Sequence, residues 1–373
     1  MKIAIVVDAI DNLTNGSVIT ARRFVDGLRA RGHEVTVIAI GADGDNDCAV
    51  DERYVPVLTE VAAKNQTKFG KFNKKLIAPH IKAVDLVHFI FPFDLEKKCK
   101  KLADKLGVAT TAAFHVQPEN VSYNAHMGNS KIFNDLTYSY FKNTFYKKFK
   151  FIHCPSRFIA DQLKKHGYKA KTYVISNGYD KIFVPPETRE KNEKFEIAMI
   201  GRLSPEKNQQ VLISAIAKSR HKDNIHLTLY GNGPCKERLI KQAEELGVFV
   251  DFDFLPKEEL VKRLQKSDLY VHSAIVEIEA IACIEAIASG LVPVISDSDL
   301  SATPQFALDE RSLFENDDPS SLSDKIDYWI DNEAERLEMG KRYAEHAKNY
   351  SLDKSLALAE KMFEDAISDK KAK

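Results

Sequence analysis

Three carboxylates stand inside the most apolar stretch of this chain. Leu269–Ile295 is otherwise mostly Val, Ile, Ala and Leu, yet it carries Glu277, Glu279 and Glu285. An unpaired carboxylate in such surroundings costs several kcal/mol, so groups of this kind usually have partners. A helix dipole would return only about 0.3–1 kcal/mol to Glu277 and Glu279 near a helix start. It returns nothing to Glu285, which lies within the helix expected over Ala280–Ser289. Two carboxylates eight residues apart, one before a helix and one inside it, can grip hydroxyl groups of a single ligand.

A second segment supplies the opposite charge. Phe195–Ile200 reads as a buried strand, followed by Gly201-Arg-Leu-Ser-Pro-Glu-Lys207-Asn and an amphipathic helix. Gly201 allows close backbone approach and Pro205 suits a helix start. Arg202 and Lys207 set two cations beside it, which makes a receptor for a multiply charged phosphate. Leu227–Tyr230 with Gly231-Asn-Gly-Pro234 repeats the strand–glycine–helix pattern. Each unit alone is common in α/β packing, and their succession carries the information.

In that succession the chain resembles the family 4 glycosyltransferases of the GT-B fold. The matching stretches are Ser176-Asn-Gly-Tyr-Asp180, Gly201-Arg-Leu-Ser-Pro-Glu-Lys207, Tyr230-Gly-Asn-Gly-Pro234 and Glu277-x7-Glu285 with the following Ala286-Ile-Ala-Ser-Gly290-Leu-Val-Pro293. The likeness spans nearly the whole chain and is strongest over residues 176–295. In the first half it rests on Gly16 after the first strand and on His115. It implies an α/β architecture of two Rossmann-like doubly wound domains facing a central cleft. It also implies α-retaining transfer of a hexose from a UDP-sugar, with no metal or other cofactor required. By position, Arg202 and Lys207 would hold the diphosphate, Glu285 the ribose, Glu277 the donor sugar, and His115 would face the reacting sugar. His115, Glu277, Arg202 and Lys207 form the implied catalytic set, and Gly16, Gly231, Asn232, Ala280 and Ile281 join the donor contacts. One departure bears on the donor. Where the family has a glycine-rich, aromatic-containing run after the first glutamate, this chain has Ile278-Glu-Ala-Ile281, so the hexose stays open.

These residues need scaffolding elements, and periodicity places them. Strands are expected at Lys2–Asp8, Glu34–Ile40, Asp85–Ile90, Val108–Phe114, Phe151–Pro155 and Thr172–Ile175, with helices at Ser17–Arg31, Leu95–Leu106, Ile132–Phe149 and Ser156–His166. The second half alternates in the same way through Phe195–Ile200, Ile225–Tyr230, Val248–Phe252, Asp268–His272 and Val292–Ile295. Two domains follow, residues 1–175 and 195–350, which the resemblance makes the acceptor and the nucleotide-sugar domains respectively. A Pro- and charge-rich linker covers 176–194, and in this family the last helix, within 351–373, crosses back to the first domain.

Charge divides along the same line. Met1–Val174 holds 27 Lys and Arg against 17 Asp and Glu, leaving 27 against 37 in the remainder. Such an asymmetry suggests two domains with different partners. Five scattered cysteines argue for reduced thiols in a cytosol and against a disulfide framework or zinc site. No charged-then-apolar leader opens the chain and no apolar run is long enough to span a membrane. Asp43-Gly-Asp-Asn-Asp47 imitates a calcium motif, but Gly44 is misplaced for one, so it reads as a polar loop.

The acceptor side is read from basic-aromatic stretches. Between Glu60 and Asp85 there are six lysines and no acid. As a helix ending near Pro79, this segment would gather Lys64, Lys68, Lys71 and Lys75 on one face beside a stripe of Phe69, Phe72 and Leu76. Leu136–Ala160 is also acid-free and rich in aromatic residues. Such helices suit an anionic membrane surface, whereas no recognition motif supports nucleic acid. The expectation is a bacterial enzyme, peripheral on the cytoplasmic face of the membrane, that glycosylates a lipid such as diacylglycerol. Alternatives are a polyprenyl-linked or soluble glycan acceptor and, from another class, a nucleotide-sugar epimerase or a non-catalytic binder. His126 is a weaker cleft candidate than His115.

Overall fold

The structure is a computed structural model and describes residues 1–11, 16–54, 68–124, 127–189 and 191–372. The chain divides into two compact units, one formed by residues 1–118, 130–178 and 352–373, the other by 119–129 and 179–351.

The first unit is built on a parallel sheet of β1 (Lys2–Ala9), β2 (Glu34–Ile40), β3 (Cys48–Ala49), β4 (Leu86–Phe89), β5 (Ala109–Ala113), β6 (Phe151–Cys154) and β7 (Lys171–Val174). Its order is β3-β2-β1-β4-β5-β6-β7. β1 is apolar on both faces and almost wholly buried, as expected for a central parallel strand covered by helices on both sides. Helices α1 (Gly16–Ala30), α2 (Lys74–Lys82), α3 (Asp94–Leu106), α5 (Lys131–Thr144) and α6 (Arg157–Lys165) lie between the strands, and α4 (Pro118–Asn124), after β5, belongs from Glu119 onward to the second unit. The expected helix Ile132–Phe149 breaks at Phe145, after which Tyr146–Lys148 tightens into a 3-10 turn.

The basic helix expected before Pro79 is corrected. Lys68–Phe72 precede α2, which starts at Lys74 with the Asn73 side chain accepting from the Lys75 and Leu76 amides. Gly70 sets this start. Its amide donates to Asp8 Oδ1 at 2.7 Å, it bridges Glu52, and a Cβ there would lie 2.6 Å from Leu95. Pro79 lies within α2 rather than ending it, although it removes one backbone hydrogen bond and crowds the carbonyl four residues earlier. Lys64 lies outside the described residues.

The second unit repeats the architecture with β8 (Phe195–Ile200), β9 (Ile225–Tyr230), β10 (Val250–Asp253), β11 (Leu269–His272), β12 (Val292–Asp297) and β13 (Leu313–Glu315), ordered β10-β9-β8-β11-β12-β13, all parallel. Its helices are α7 (Gln209–Lys218), α8 (Lys236–Leu246), α9 (Lys257–Lys266), α10 (Ile281–Ala288), α11 (Pro319–Asp331) and α12 (Glu333–Ala347). The segment read as a linker packs on this unit from Tyr179 onward. Phe183 is buried in the core, and Arg189 donates to the carbonyls of Ser267 at 2.7 Å and Gly290 at 2.9 Å. The last helix, α13 (Leu352–Lys371), buries Leu356, Ala359, Met362 and Phe363 in the core of the first unit. There Arg31 and His33 both bond Glu360 at 2.8 Å. No helix among the described residues is long and apolar enough to cross a membrane.

Candidate functional site

In the second unit, β9 and β11 flank β8 on opposite sides, so the chain winds outward from β8 in two directions. Doubly wound sheets bind ligands at such a reversal, outside the carboxyl ends of the strands. Three loops leave those ends and interlock. Gly231 follows β9, and a Cβ on it would lie 2.0 Å from the Gly201 carbonyl oxygen after β8, so only glycine fits. The Leu203 amide donates to the Asn232 carbonyl at 3.0 Å. After β11, Ser273 Oγ donates to the carbonyls of Lys207 and Asn208, and the Ile275 amide donates to the Glu206 carbonyl at 2.8 Å.

This lacing brings the Lys207 ammonium into an ion pair with Glu277 Oε1. The same oxygen accepts from His272 Nε2 at 3.1 Å, while Tyr270 Oη lies 3.0 Å from His272 Nδ1. A carboxylate at Nε2 fixes that nitrogen as the donor, so in a neutral ring the Tyr270 hydroxyl donates to Nδ1. Burial raises the Glu277 carboxyl, but the Lys207 charge and the His272 and Lys207 hydrogen bonds outweigh it and hold it at about 2. The site therefore presents a carboxylate held ionised, in contact with the Lys207 side chain. Tyr270 is kept protonated by burial first, then by Cys283, Glu277 and Glu285, which also places both glutamates in one electrostatic neighbourhood.

Glu285 sits on α10 and is buried, as is Glu279 before it. Ala280 opens α10 with φ 69° and ψ 69°, a left-handed conformation that disfavours a Cβ. That backbone turn falls within the run where the chain departs from the resembled glycine-rich pattern, and Ile281 is the first residue of the helix beyond it.

Arg202, Lys207, Gly231, Asn232, Glu277, Ala280, Ile281 and Glu285 thus lie in the second unit, whereas Gly16 and His115 belong to the first. Gly16 begins α1 after β1. His115 follows β5, is buried, and meets His153 edge to face at 5.2 Å. Burial and then His153 push its pKa well below the usual value, so it is a neutral imidazole. His126 lies outside the described residues.

Tyr270 and His272 were missed by the sequence reading. The signal was present, since both are polar-tipped residues two apart within a buried strand, hence on one face of it. The basic-aromatic residues do not form the expected surface. Lys68 pairs with Asp11 at 2.7 Å, Phe69 packs on Phe93, Lys71 and Phe72 precede α2, and only Lys75 and Leu76 are on that helix. Of the second stretch, Tyr138, Phe141, Phe145, Tyr146 and Phe149 are core residues. The Asp43–Asp47 segment is a loop folded by Asp47, which accepts from the Val37 and Gly44 amides and Arg29.

Residues 14–181 match the family described as Glycosyltransferase Family 4, and residues 180–349 match Glycosyl transferases group 1. An alpha-monoglucosyldiacylglycerol synthase from Streptococcus pneumoniae is 23% identical over 79% of this chain and 71% of its own length. A D-inositol 3-phosphate glycosyltransferase from Corynebacterium glutamicum is 30% identical over 46% of this chain. That match spans 44% of the relative, less than half its length. A sucrose-phosphate synthase structure from Thermosynechococcus elongatus superposes with a TM-score of 0.78 at 16% identity, covering 99% of this chain and 100% of that one. The catalytic domain of cholesterol-alpha-glucosyltransferase from Helicobacter pylori is 54% identical over 42% of this chain and 99% of that one, with a TM-score of 0.41.

Proposed function

Since the chain belongs to the family 4-type glycosyltransferases of the GT-B fold, we propose that it moves a hexose from a UDP-sugar to a hydroxyl of a membrane lipid, with retention at the anomeric carbon. The Lys207–Glu277–His272 constellation at the strand reversal carries this reading. A cation and a carboxylate in contact can each take one part of a donor, Lys207 with Arg202 the diphosphate and Glu277 the sugar hydroxyls. As the bond to the anomeric carbon breaks, negative charge grows on the leaving UDP. Fixed cations and backbone amides stabilise that charge without reorganising, so the chemistry requires no divalent metal. Glu285 would take the ribose hydroxyls. His115, being neutral, would donate a hydrogen bond to the reacting sugar rather than repel developing positive charge there.

The lipid acceptor is supported by the monoglucosyldiacylglycerol synthase relative, which aligns over most of both chains, and a lipid acceptor would place the enzyme peripherally on the membrane. The inositol phosphate relative favours a second reading, a soluble acceptor. Radiolabelled UDP-sugars should be offered with diacylglycerol, a sterol, or a soluble inositol phosphate, with and without chelator. An α-linked lipid product formed in the presence of chelator is the expected result. Label only on the soluble acceptor would overturn the lipid reading. Interconversion of UDP-sugars without any acceptor would point to an epimerase, and no turnover with intact UDP binding to a non-catalytic binder.

A further inference from the structure

The first unit contains a cavity of about 540 Å³ that the donor chemistry does not use. Of its twelve lining residues five are lysines, Lys142, Lys147, Lys150, Lys169 and Lys171, and none is acidic. Tyr146, Phe149, Phe151 and Tyr168 supply aromatic walls. Phe151 is the first residue of β6 and Lys171 the first of β7. The cavity therefore opens at the amino ends of a parallel sheet, the edge opposite the carboxyl ends after which His115 lies.

Its lysines are held to different degrees. Lys150 pairs with Asp369 at 2.5 Å and Lys171 with Asp365 at 2.9 Å, both on α13, and Lys142 donates to the His166 carbonyl at 2.8 Å. Lys147 and Lys169 are exposed. Neighbouring Lys148 has its pKa lowered, first by burial and then by Lys101 and Lys100, as expected where positive charge is crowded.

An apolar stripe leads to this cavity. On α5, Ile132, Leu136 and Tyr140 recur every four residues and are 77%, 65% and 56% exposed. Asn143, on the following turn, lines the cavity. Large apolar side chains in a row on one helix face are uncommon on a free surface and mark an interaction site. An apolar row ending in a lysine-lined cavity with aromatic walls has the character of a membrane interface.

We propose that the cavity and stripe dock this unit on an anionic phospholipid bilayer, the lysines taking the headgroup phosphate and Ile132, Leu136 and Tyr140 lying against the acyl boundary. This deepens the membrane part of the reading above, and its test measures binding rather than turnover, so failure here leaves sugar transfer standing.

The experiment is flotation of the full chain with phosphatidylcholine vesicles, with and without phosphatidylglycerol, at low salt. The protein should bind only the anionic vesicles and leave them as salt rises. Lys147→Glu with Lys169→Glu should weaken that binding by about a hundredfold, since two attractions become repulsions. Leu136→Ser should weaken it by about tenfold, because less apolar surface is buried. Lys241→Glu with Lys341→Glu, exposed positions of the second unit, should leave binding unchanged. Unchanged melting and UDP affinity would confirm that each variant is folded. Wild-type indifference to anionic vesicles would overturn the proposal, as would full binding by the Lys147/Lys169 variant. Displacement of the protein from vesicles by millimolar inorganic phosphate would do so too, identifying a soluble phosphate site instead.

Discussion

Replacing Glu277 by Gln keeps the shape of the side chain but removes the charge that Lys207 and His272 both engage. The carboxyl is held at about 2 against an ordinary 4.5, a difference worth about 3 kcal/mol at roughly 1.4 kcal/mol per tenfold. The folded-state value lies below the unfolded one, so this stabilisation is complete above pH 4.5 and is lost as pH falls through 2. Both side chains are largely enclosed, at 19% and 13% exposure, so solvent screening removes little of it. For a unit of this size each kcal/mol moves the melting midpoint by roughly 2–4 °C, so Glu277→Gln should lower the transition of the second unit by up to about 6–12 °C at pH 7. At pH 3 the deficit should shrink to less than half, because below 4.5 the unfolded carboxyl takes up a proton that the folded one does not. Scanning calorimetry without ligand, at pH 7, 5 and 3, measures this directly. A variant that melts within about 2 °C of wild type at pH 7, or shows the same deficit at all three pH values, would refute the electrostatic account. Glycosyl transfer should fall sharply in the same variant while UDP affinity stays nearly intact, since Lys207 remains for the diphosphate.

The other predictions concern neighbouring groups. Arg202→Ala and Lys207→Ala should each weaken UDP binding by about 1.5–3 kcal/mol in titration calorimetry, and unchanged affinity in both would remove the diphosphate assignment. Glu285→Gln should weaken UDP binding where Glu277→Gln does not, and equal losses would show that the two glutamates are wrongly assigned. Ala280→Gly should leave stability nearly unchanged, because relief of about 1–2 kcal/mol of left-handed strain is offset by the greater freedom of glycine in the unfolded chain. A pronounced drop in its melting temperature would mean that the methyl group matters more than the backbone. In the first unit, burial raises Asp8 to about 6 against its hydrogen bond from the Gly70 amide. With the folded value above the unfolded 3.8, this contribution to stability is present below pH 3.8 and is lost as pH rises through 6, in step with the buried Glu96 carboxyl beside it. Asp8→Asn should flatten that decline in hydrogen exchange of the first unit, and an unaltered profile would exclude Asp8 as its source.

Local patterns were legible in the sequence because local forces decide them. Runs such as Ile3–Val7 and Ile197–Ile200 have the unbroken apolar character of central parallel strands, and the helices between them carry an apolar stripe at helical spacing. Glu277 and Glu285 were visible for the same reason, as charges where the pattern demanded none. Where a contact from elsewhere in the chain decides, the sequence was silent or misleading. β3 and β13, of two and three residues, are too short to show a period and exist through pairing with β2 and β12. The start of α2 is set by Gly70 docking on Asp8 and Leu95, against the helical pattern of the lysines before it. Most of the aromatic residues between Leu136 and Ala160 look like a membrane face in sequence and are core in the fold, because composition does not say which side of a helix finds a partner. The pairing of Lys207 with Glu277 joins residues seventy apart. Sequence supplied a cation and a carboxylate suited to a nucleotide-sugar. Only the closing of loops from β8, β9 and β11 around one strand reversal put them in contact and added His272, since distance and burial, which set the strength of a charge interaction, are properties of the fold.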